Sequence, residues 1–187
     1  MALIPKRISD LFIEVRDTLQ DQQKSRWNDQ ELFRYLDQGN RDIALNTRKN
    51  HTKDTIFVAD PALPQQTTEY NLSKEAIEFY EITSEQPYEV KDARTIVFPE
   101  NKEEYVTIEY YAFPDRIIYG NTQEILLDED LYDAIRYYII FKCYQKEDNA
   151  ESFQKSQYFK SEYGTQLQKH LTRWNTFDTT TSRTDFF

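Results

Sequence analysis

Glycine is scarce in this sequence: Gly39, Gly120 and Gly164 are the only three among 187 residues. Phosphate-binding loops and dinucleotide-binding turns need clustered glycines, so the isolated glycines exclude both motifs. The sequence also lacks the G-x-S-x-G turn that exposes a serine nucleophile in hydrolases. An enzyme of another type stays open at this point, because active sites are also built from dispersed residues.

Cysteine and histidine are almost as rare. The one cysteine, Cys143, cannot form an internal disulfide and fits a reducing compartment. It lies in an apolar helical stripe, so we expect an inert buried thiol. The two histidines, His51 and His170, have no carboxylate or cysteine nearby at metal-ligand spacing, and we expect both at the surface. The sequence therefore predicts no catalytic residue, no cofactor and no metal site.

Long apolar runs are missing as well. No stretch approaches the roughly 20 apolar residues that span a bilayer. The first residues, MALIPKRISDLF, lack the apolar core of a signal peptide. We therefore expect synthesis in the cytoplasm and no membrane partner.

The net charge is −10, and one part of the chain carries it. Residues 54–127 contain fifteen acidic and five basic residues, whereas the two flanking segments together contain eighteen of each. The acidic excess argues against a protein that tracks DNA phosphates. The acidic excess is compatible with a surface that DNA passes without binding. It is equally compatible with a soluble acidic domain. The densest basic sites, at 24–26 and 48–53, lie at helix ends, where the helix dipole favours cations; a local nucleic-acid contact is the alternative.

Aromatic residues are abundant, with 14 Tyr, 12 Phe and 2 Trp. Tyrosine combines a large apolar ring with a polar tip and therefore suits surfaces that become interfaces. The composition indicates subunit contacts, or the codon bias of an AT-rich genome.

Two amphipathic helices are predicted near the N-terminus. The first has a stripe at helical spacing, formed by Ile8, Leu11, Phe12, Val15 and Leu19. The second begins at Asn28, with Glu31 three residues later, as in a capping box. Its inner stripe consists of Leu32, Phe33, Leu36, Asn40, Ile43 and Ala44. Gly39 costs this helix about 1 kcal/mol relative to alanine, so it marks the close approach of a neighbouring helix or is merely tolerated.

Two further helices are predicted after residue 128. The first is apolar nearly all round and should be the most buried; its stripe is Leu131, Ile135, Tyr138, Ile139 and Lys142. A long final helix runs from about Ala150 to Leu171. Its expected inward residues are Phe153, Phe159, Tyr163, Leu167 and Trp174.

Between the helices, β-branched and aromatic runs are separated by prolines. The runs cover 55–59, 76–83, 88–90, 94–98 and 105–112. Alternation is clearest where Val106, Ile108 and Tyr110 share one face. These patterns predict a small, mostly antiparallel β subdomain.

The pattern as a whole predicts an α+β fold: a four-helix bundle of two N-terminal and two C-terminal helices, an inserted small antiparallel β subdomain and an extended C-terminal tail. The predicted parts are the bundle (1–53 and 128–174), the acidic β-rich insertion (54–127) and a flexible arm (175–187). The arm is polar and aperiodic and cannot bury enough surface to fold alone. Its aromatic end suits docking onto another protein, although a frayed terminus is the alternative.

The motif Leu19-Gln20-Asp21 ends the first predicted helix, and Arg26-Trp27-Asn28-Asp29 opens the second. With these two motifs the N-terminal segment resembles the helical hairpin of tailed-bacteriophage head–tail connector (adaptor) proteins, of the short-tailed phage type. Residues 94–99 (RTIVFP) and 106–111 (VTIEYY) resemble the family's strands, and 130–146 resembles its buried helix. The similarity covers about residues 8–172.

This resemblance implies a structural virion protein of the phage neck. Such an adaptor forms a ring, usually of twelve copies, beneath the portal protein and extends the DNA channel. Tail nozzle or tail-tube proteins and fibre proteins attach to it, and genomic DNA passes during ejection without sequence-specific binding. We expect the arm to contact the portal through Phe177, Phe186 and Phe187.

Other functions remain open on the sequence. The nearest is another neck or tail-completion protein, such as a stopper or ring component. A host-directed acidic binding module should stay monomeric and bind a host protein. An enzyme should show a pocket with perturbed carboxylates.

Overall fold

The computed structural model describes residues 4–48, 50–58, 68–72, 75–99, 104–119, 124–127 and 129–181. The helices are α1 (Ile8–Leu19), α2 (Asp29–Thr47), α3 (Glu129–Gln145) and α4 (Ala150–Thr181). The strands are β1 (Ile4–Arg7), β2 (His51–Val58), β3 (Thr68–Asn71), β4 (Ala76–Thr83), β5 (Glu89–Asp92), β6 (Thr95–Phe98), β7 (Glu104–Ala112) and β8 (Glu124–Leu127). The four predicted helices and the antiparallel strands are present, which confirms the α+β class.

Helices α1 and α2 form where their apolar spacing predicts them. All five stripe residues of α1 are buried. At the start of α2, Asn28 Oδ1 accepts a hydrogen bond from the Glu31 N–H (2.9 Å), and Glu31 Oε2 accepts one from the Asn28 N–H (3.4 Å). These reciprocal bonds satisfy two donors that a helix start leaves open and confirm the predicted capping box.

Helix α3 is the centre of the helical core. Its apolar residues Leu131, Ala134, Ile135, Ile139 and Ile140 have no exposed surface. Helices α1, α2 and α4 all pack against it. The near-continuous apolar sequence of α3 follows from this position, because a helix covered on several sides has no face left for water.

Helix α4 packs on α3 through Tyr163 and Leu167, as predicted, but not through Phe153. The prediction that Phe153 points inward is wrong, because its side chain is 62% exposed. The small residues Ser152 and Ser156 are buried instead, and Ser156 Oγ donates a hydrogen bond to the Phe141 carbonyl (3.2 Å). Close packing at the α3–α4 turn therefore selects serine over the larger apolar side chain.

The helical backbone of α4 continues to Thr181, ten residues beyond the predicted end at Leu171. No glycine or proline interrupts residues 165–181, and adding a residue to an existing helix costs far less than starting one. The predicted arm is therefore helical from 175 to 181. Residues 182–187 lie outside the described part of the chain.

Three strands were not predicted from the sequence: β1, β3 and β8. Strands β1 and β8 form an antiparallel ladder in which Ile4 faces Leu127 and Arg7 faces Glu124. Both are only four residues long, too short for a periodic signal. Pro5 in β1 is compatible with a strand that has a neighbour on one side only.

The other strands form two antiparallel sheets, in the orders β2-β7-β4 and β3-β6-β5. Strand β2 pairs with β7 without interruption over eight residues, whereas the β4–β7 pairing contains two irregularities. The predicted alternation in β7 is confirmed, since Val106, Ile108 and Tyr110 are buried. They belong to a second apolar core, with Val58, Leu72, Ala76, Ile96, Phe98 and Ala112.

The chain divides into two compact units. The helical unit comprises 1–47 and 116–187, and the β unit comprises 48–115. The limits of the β unit differ from the 54–127 insertion expected from composition, because β8 pairs with β1 of the helical unit. The β unit contains fourteen acidic and seven basic residues, the helical unit nineteen and sixteen, so the β unit is the more acidic of the two.

Gly39 lies where α2 crosses α3. A Cβ atom at this position would lie 2.4 Å from Ile135 Cδ1 and 2.7 Å from Tyr138 Cδ1, closer than carbon atoms can approach. The sequence allowed two explanations for Gly39, the close approach of a neighbouring helix or simple tolerance, and the structure shows close approach. At Gly164, in contrast, no atom of the described residues outside the helix's own backbone lies within 4 Å of the position a Cβ would take.

We expect Gly39→Ala to destabilise the protein by about 1–3 kcal/mol. The overpacking against Ile135 and Tyr138 outweighs the roughly 1 kcal/mol that alanine gains over glycine in a helix. The matched control, Gly164→Ala, should stabilise the free protein by up to about 1 kcal/mol. Urea unfolding of both variants measures the difference, and equal effects of the two substitutions would contradict the close-packing argument.

Candidate assembly site

The connection between α1 and α2 is organised around one buried arginine. The Arg16 guanidinium donates to the Trp27 carbonyl (3.0 Å), to Asp21 Oδ2 (3.2 Å) and to Asp29 Oδ1 (2.7 Å). Its side chain is only 7% exposed. The two acids belong to the two short motifs of the predicted hairpin, so the arginine joins the end of α1 to the start of α2.

Asp21 is the second centre of this hairpin. Its carboxylate accepts hydrogen bonds from the backbone N–H groups of Ser25 (2.9 Å), Arg26 (3.1 Å) and Trp27 (3.1 Å). Burial acts to raise the pKa of Asp21, but these hydrogen bonds outweigh it, and the pKa lies below its ordinary value. A carboxylate held this way determines the path of the whole turn.

The hairpin is attached to α3 by its aromatic residue. Trp27 is fully buried, its Nε1 donates to the Cys143 carbonyl (3.3 Å), and the Arg26 guanidinium lies 4.2 Å above its ring. Arg26 also forms an ion pair with Glu147. The hairpin and the α3–α4 turn therefore form one continuous structure.

A groove of about 640 Å³ lies beside this structure. Its walls come from the end of α1, the α3–α4 turn and the first turns of α4. Tyr144 and Phe159 stack within it (ring centroids 6.0 Å apart, 11° between planes). The nearby charges are paired with each other, as in Lys155 with Glu151 (2.6 Å), so the groove does not favour a ligand of either charge.

In the β unit, one surface of the β2-β7-β4 sheet carries an aromatic face, which we define as His51, Phe57, Tyr80, Tyr105 and Tyr111. His51, Tyr80 and Tyr111 contact one another at ring-centroid distances of 5.1–5.7 Å. Phe57 and Tyr105 form a second pair at 4.9 Å, and Tyr105 is 74% exposed. Exposed, clustered aromatic side chains are typical of protein-binding surfaces.

The sequence missed this face, although a signal for it was present. In β2 and β7 the residues that alternate with the buried ones point to the opposite side of the sheet. His51 and Phe57 alternate with the core positions of β2 in this way, and Tyr105 and Tyr111 do so in β7. The register that makes them neighbours, with His51 facing Tyr111 and Phe57 facing Tyr105, is a property of the fold alone.

The predicted portal-contact residues are largely outside the part of the chain that can be described. Phe177 lies within α4, with only its backbone described. Phe186 and Phe187 lie outside the described residues. The predicted portal contact therefore stays a prediction, because these three side chains lie outside the described part of the chain.

The residues considered for chemistry lie apart from one another. Cys143 is fully buried, and burial raises the pKa of its thiol well above the ordinary value, which confirms the predicted inert thiol. His170 is buried, so its predicted surface position is wrong; the apolar period of α4 carries it inward. His51 is at the surface as predicted, 3.2 Å from Glu109.

The basic residues of the first of the two basic sites are paired with acids. Lys24 pairs with Asp29 (2.6 Å), and Arg26 pairs with Glu147.

Within the described ranges, no three histidine, cysteine, aspartate or glutamate side chains are close enough to hold a metal ion. No helix in those ranges has the length and apolarity required to cross a bilayer.

The described residues form an α+β fold of two units, one with a charged helical hairpin and the other with an exposed aromatic sheet face. Residues 6–184 match the family model described as SU10 adaptor protein, and the chain belongs to that family. It is thus a structural protein of the bacteriophage head–tail adaptor class. A search of curated proteins found no match.

We expect Asp21→Asn to destabilise the protein by about 3 kcal/mol, because it removes one of the two carboxylates that compensate the buried Arg16. The matched control is Asp17→Asn, an exposed acid in the last turn of α1, which should change stability by less than about 0.5 kcal/mol. Urea unfolding provides the comparison. Equal stability of the two variants would show that the buried ion pair does not hold the hairpin.

The lowered carboxylate pKa values predict loss of stability in acid. The pKa of Asp29 is lowered, chiefly by the hydrogen bond from Lys24, and that of Glu31 is lowered, chiefly by the hydrogen bond from Lys146. A group whose pKa is depressed on folding stabilises the fold above its unfolded pKa, about 4, and loses this contribution as pH falls through the folded pKa.

The urea midpoint should therefore be nearly constant above about pH 5 and should fall below about pH 4. Asp21→Asn should show a shallower fall, because it no longer has the Asp21 titration. A slope unchanged from the wild-type protein would argue against the assigned role of this carboxylate.

Proposed function

We propose that this protein is the ring-forming adaptor between the portal and the tail of a tailed phage. In this role several copies form a closed ring, of twelve subunits by analogy with the family it resembles, that extends the DNA channel. The match of residues 6–184 to the adaptor family carries the proposal. The role is one of assembly and channel formation and includes no chemical step.

The two units suit different contacts within such a ring. The helical unit has nearly balanced charge, so identical copies can approach each other without strong repulsion. We assign the subunit and portal contacts to this unit.

The β unit is acidic and exposes the aromatic face. We assign to it the attachment of tail nozzle, tail-tube or fibre proteins. Clustered tyrosines with little surrounding positive charge favour a protein partner over nucleic acid. The same acidic excess lets genomic DNA pass during ejection without binding.

The C-terminal segment 175–187 is proposed to reach the portal, with Phe177, Phe186 and Phe187 as its contacts. The segment that contains these three aromatic residues is polar and Thr-rich and has no other apolar residue in its sequence. Aromatic anchors are frequent hot spots in protein interfaces. The helical part of the segment, up to Thr181, would carry these residues away from the helical core.

Negative-stain imaging of the protein mixed with portal particles tests the function. We expect rings with the portal's rotational symmetry, stacked on one face of the portal. Free monomers beside unchanged portal particles would reject the adaptor position.

Deletion of 175–187 should abolish stable binding to the portal while leaving the fold and its thermal unfolding essentially intact. The matched control is Tyr105→Ala on the aromatic face, which should leave portal binding unchanged and weaken the attachment of tail proteins. Co-sedimentation with portal particles measures both variants. Full portal binding by the truncated protein would disprove the role of this segment.

A further inference from the structure

One surface of α1 carries acids and an exposed apolar residue that no described contact explains. We call Asp10, Ile13 and Asp17 the α1 face; they follow one another at i, i+3 and i+7 and are all exposed. Ile13 is 59% exposed. Asp10 and Asp17 accept hydrogen bonds only from Ser9 and Gln22, and no cation pairs with either acid in the described part of the chain.

Asp17 is also unfavourably placed within its own helix. It lies in the last turn of α1, where the helix dipole favours cations and disfavours acids. The subunit therefore keeps an unneutralised acid and a large exposed aliphatic side chain on the same surface, which is typical of a surface that is completed by a partner.

A complementary surface lies on α4. We call Phe153, Gln157, Lys160 and Gly164 the α4 face; they follow at i, i+4, i+7 and i+11 and are all exposed. Phe153 is 62% exposed. Lys160 has neither an ion pair nor a hydrogen bond to any residue that the structure describes.

Gly164 adds an independent indication. It lies inside a 32-residue helix, where glycine is the least favourable residue except proline. Apart from its own helix backbone, no atom of the described residues lies within 4 Å of the position a Cβ would take. The other glycine within a helix, Gly39, is required because α3 approaches α2 closely. Close approach of a helix from another molecule explains Gly164 in the same way.

We propose that the α4 face of one subunit packs against the α1 face of a second copy of this chain. Lys160 would then pair with Asp17, Phe153 would bury Ile13, and Gly164 would let the two helices approach closely. The acids and the cation are complementary in charge, and each surface contributes one exposed apolar side chain. This inference rests on the ring proposed above and identifies the contact that forms it.

The contact is heterologous, because its two halves are different surfaces. Helices α1 and α4 each pack against α3, so both faces are available on every subunit. A subunit that offers one face can therefore receive the other face from its neighbour. Repeated head-to-tail contacts of this kind close into a ring when the rotation allows it.

Cysteine cross-linking tests the contact on the full chain. The double variant Ile13→Cys, Gln157→Cys carries one thiol on each face. The natural Cys143 is fully buried and should not react with a short bismaleimide. We expect a ladder of covalent dimers, trimers and higher species when this variant is assembled on portal particles, because each subunit is linked to two neighbours.

The control is the double variant Ile118→Cys, Gln157→Cys. Ile118 is 66% exposed and belongs to neither face. It should remain monomeric on the denaturing gel under the same conditions. If imaging shows rings on the portal but the Ile13 variant gives no ladder, the contact is disproved while the adaptor function stands. If a ladder forms but no ring is found on the portal, the adaptor position fails and the contact stands.

Charge exchange gives a second test of the same contact. Lys160→Glu in the cross-linking variant should reduce the ladder about tenfold or more, because it places like charges together. Adding Asp17→Lys should restore most of the cross-linking by reversing the pair. Gly164→Leu should also suppress the ladder, although the leucine fits the free subunit. A ladder unaffected by Lys160→Glu would overturn the proposed charge pairing.

Discussion

The buried charge pair between Arg16 and Asp21 is the interaction on which the arrangement of the helical unit depends. Two charges removed from water are tolerated only when they are paired and fully hydrogen-bonded, and here the backbone of the α1–α2 turn supplies the missing donors. The turn must therefore adopt one path. That path places Trp27 where its indole reaches the Cys143 carbonyl of α3, and α3 in turn supports α4.

A fixed hairpin has a direct consequence for assembly. The surfaces of α1 and α4 are held at defined positions on α3, so a contact between neighbouring subunits loses little conformational freedom when it forms. The β unit has its own apolar core and exposes the aromatic face independently of that hairpin. Under the assignment proposed above, the helical unit forms the subunit contacts while the β unit offers an acidic, aromatic surface to proteins of a different kind.

Strong local patterns made much of the fold predictable. The stripes of α1 and α3, the capping box at Asn28 and Glu31, and the alternation in β7 are all present as expected, because each is a property of a few neighbouring residues. Phe153 and His170 were misplaced by the same reasoning. The small residues Ser152 and Ser156 are buried where α4 packs against α3, and His170 lies on the buried side of α4. The short strands β1 and β8 were missed because their pairing partners are more than a hundred residues apart.

The scarcity of glycine can be read from the sequence, but the structural reason for each glycine cannot. The sequence by itself determined the α+β class, the acidic middle of the chain, the hairpin motifs and the buried α3 helix, since these depend on composition and local periodicity. Only the tertiary structure decided that Gly39 leaves room for Ile135 and Tyr138, while a Cβ at Gly164 would meet no described atom beyond its own helix backbone. It also decided that His51 and Phe57 of β2, Tyr80 of β4, and Tyr105 and Tyr111 of β7 cluster on one sheet surface. Both outcomes depend on which distant elements become neighbours, and that depends on the packing of the whole chain.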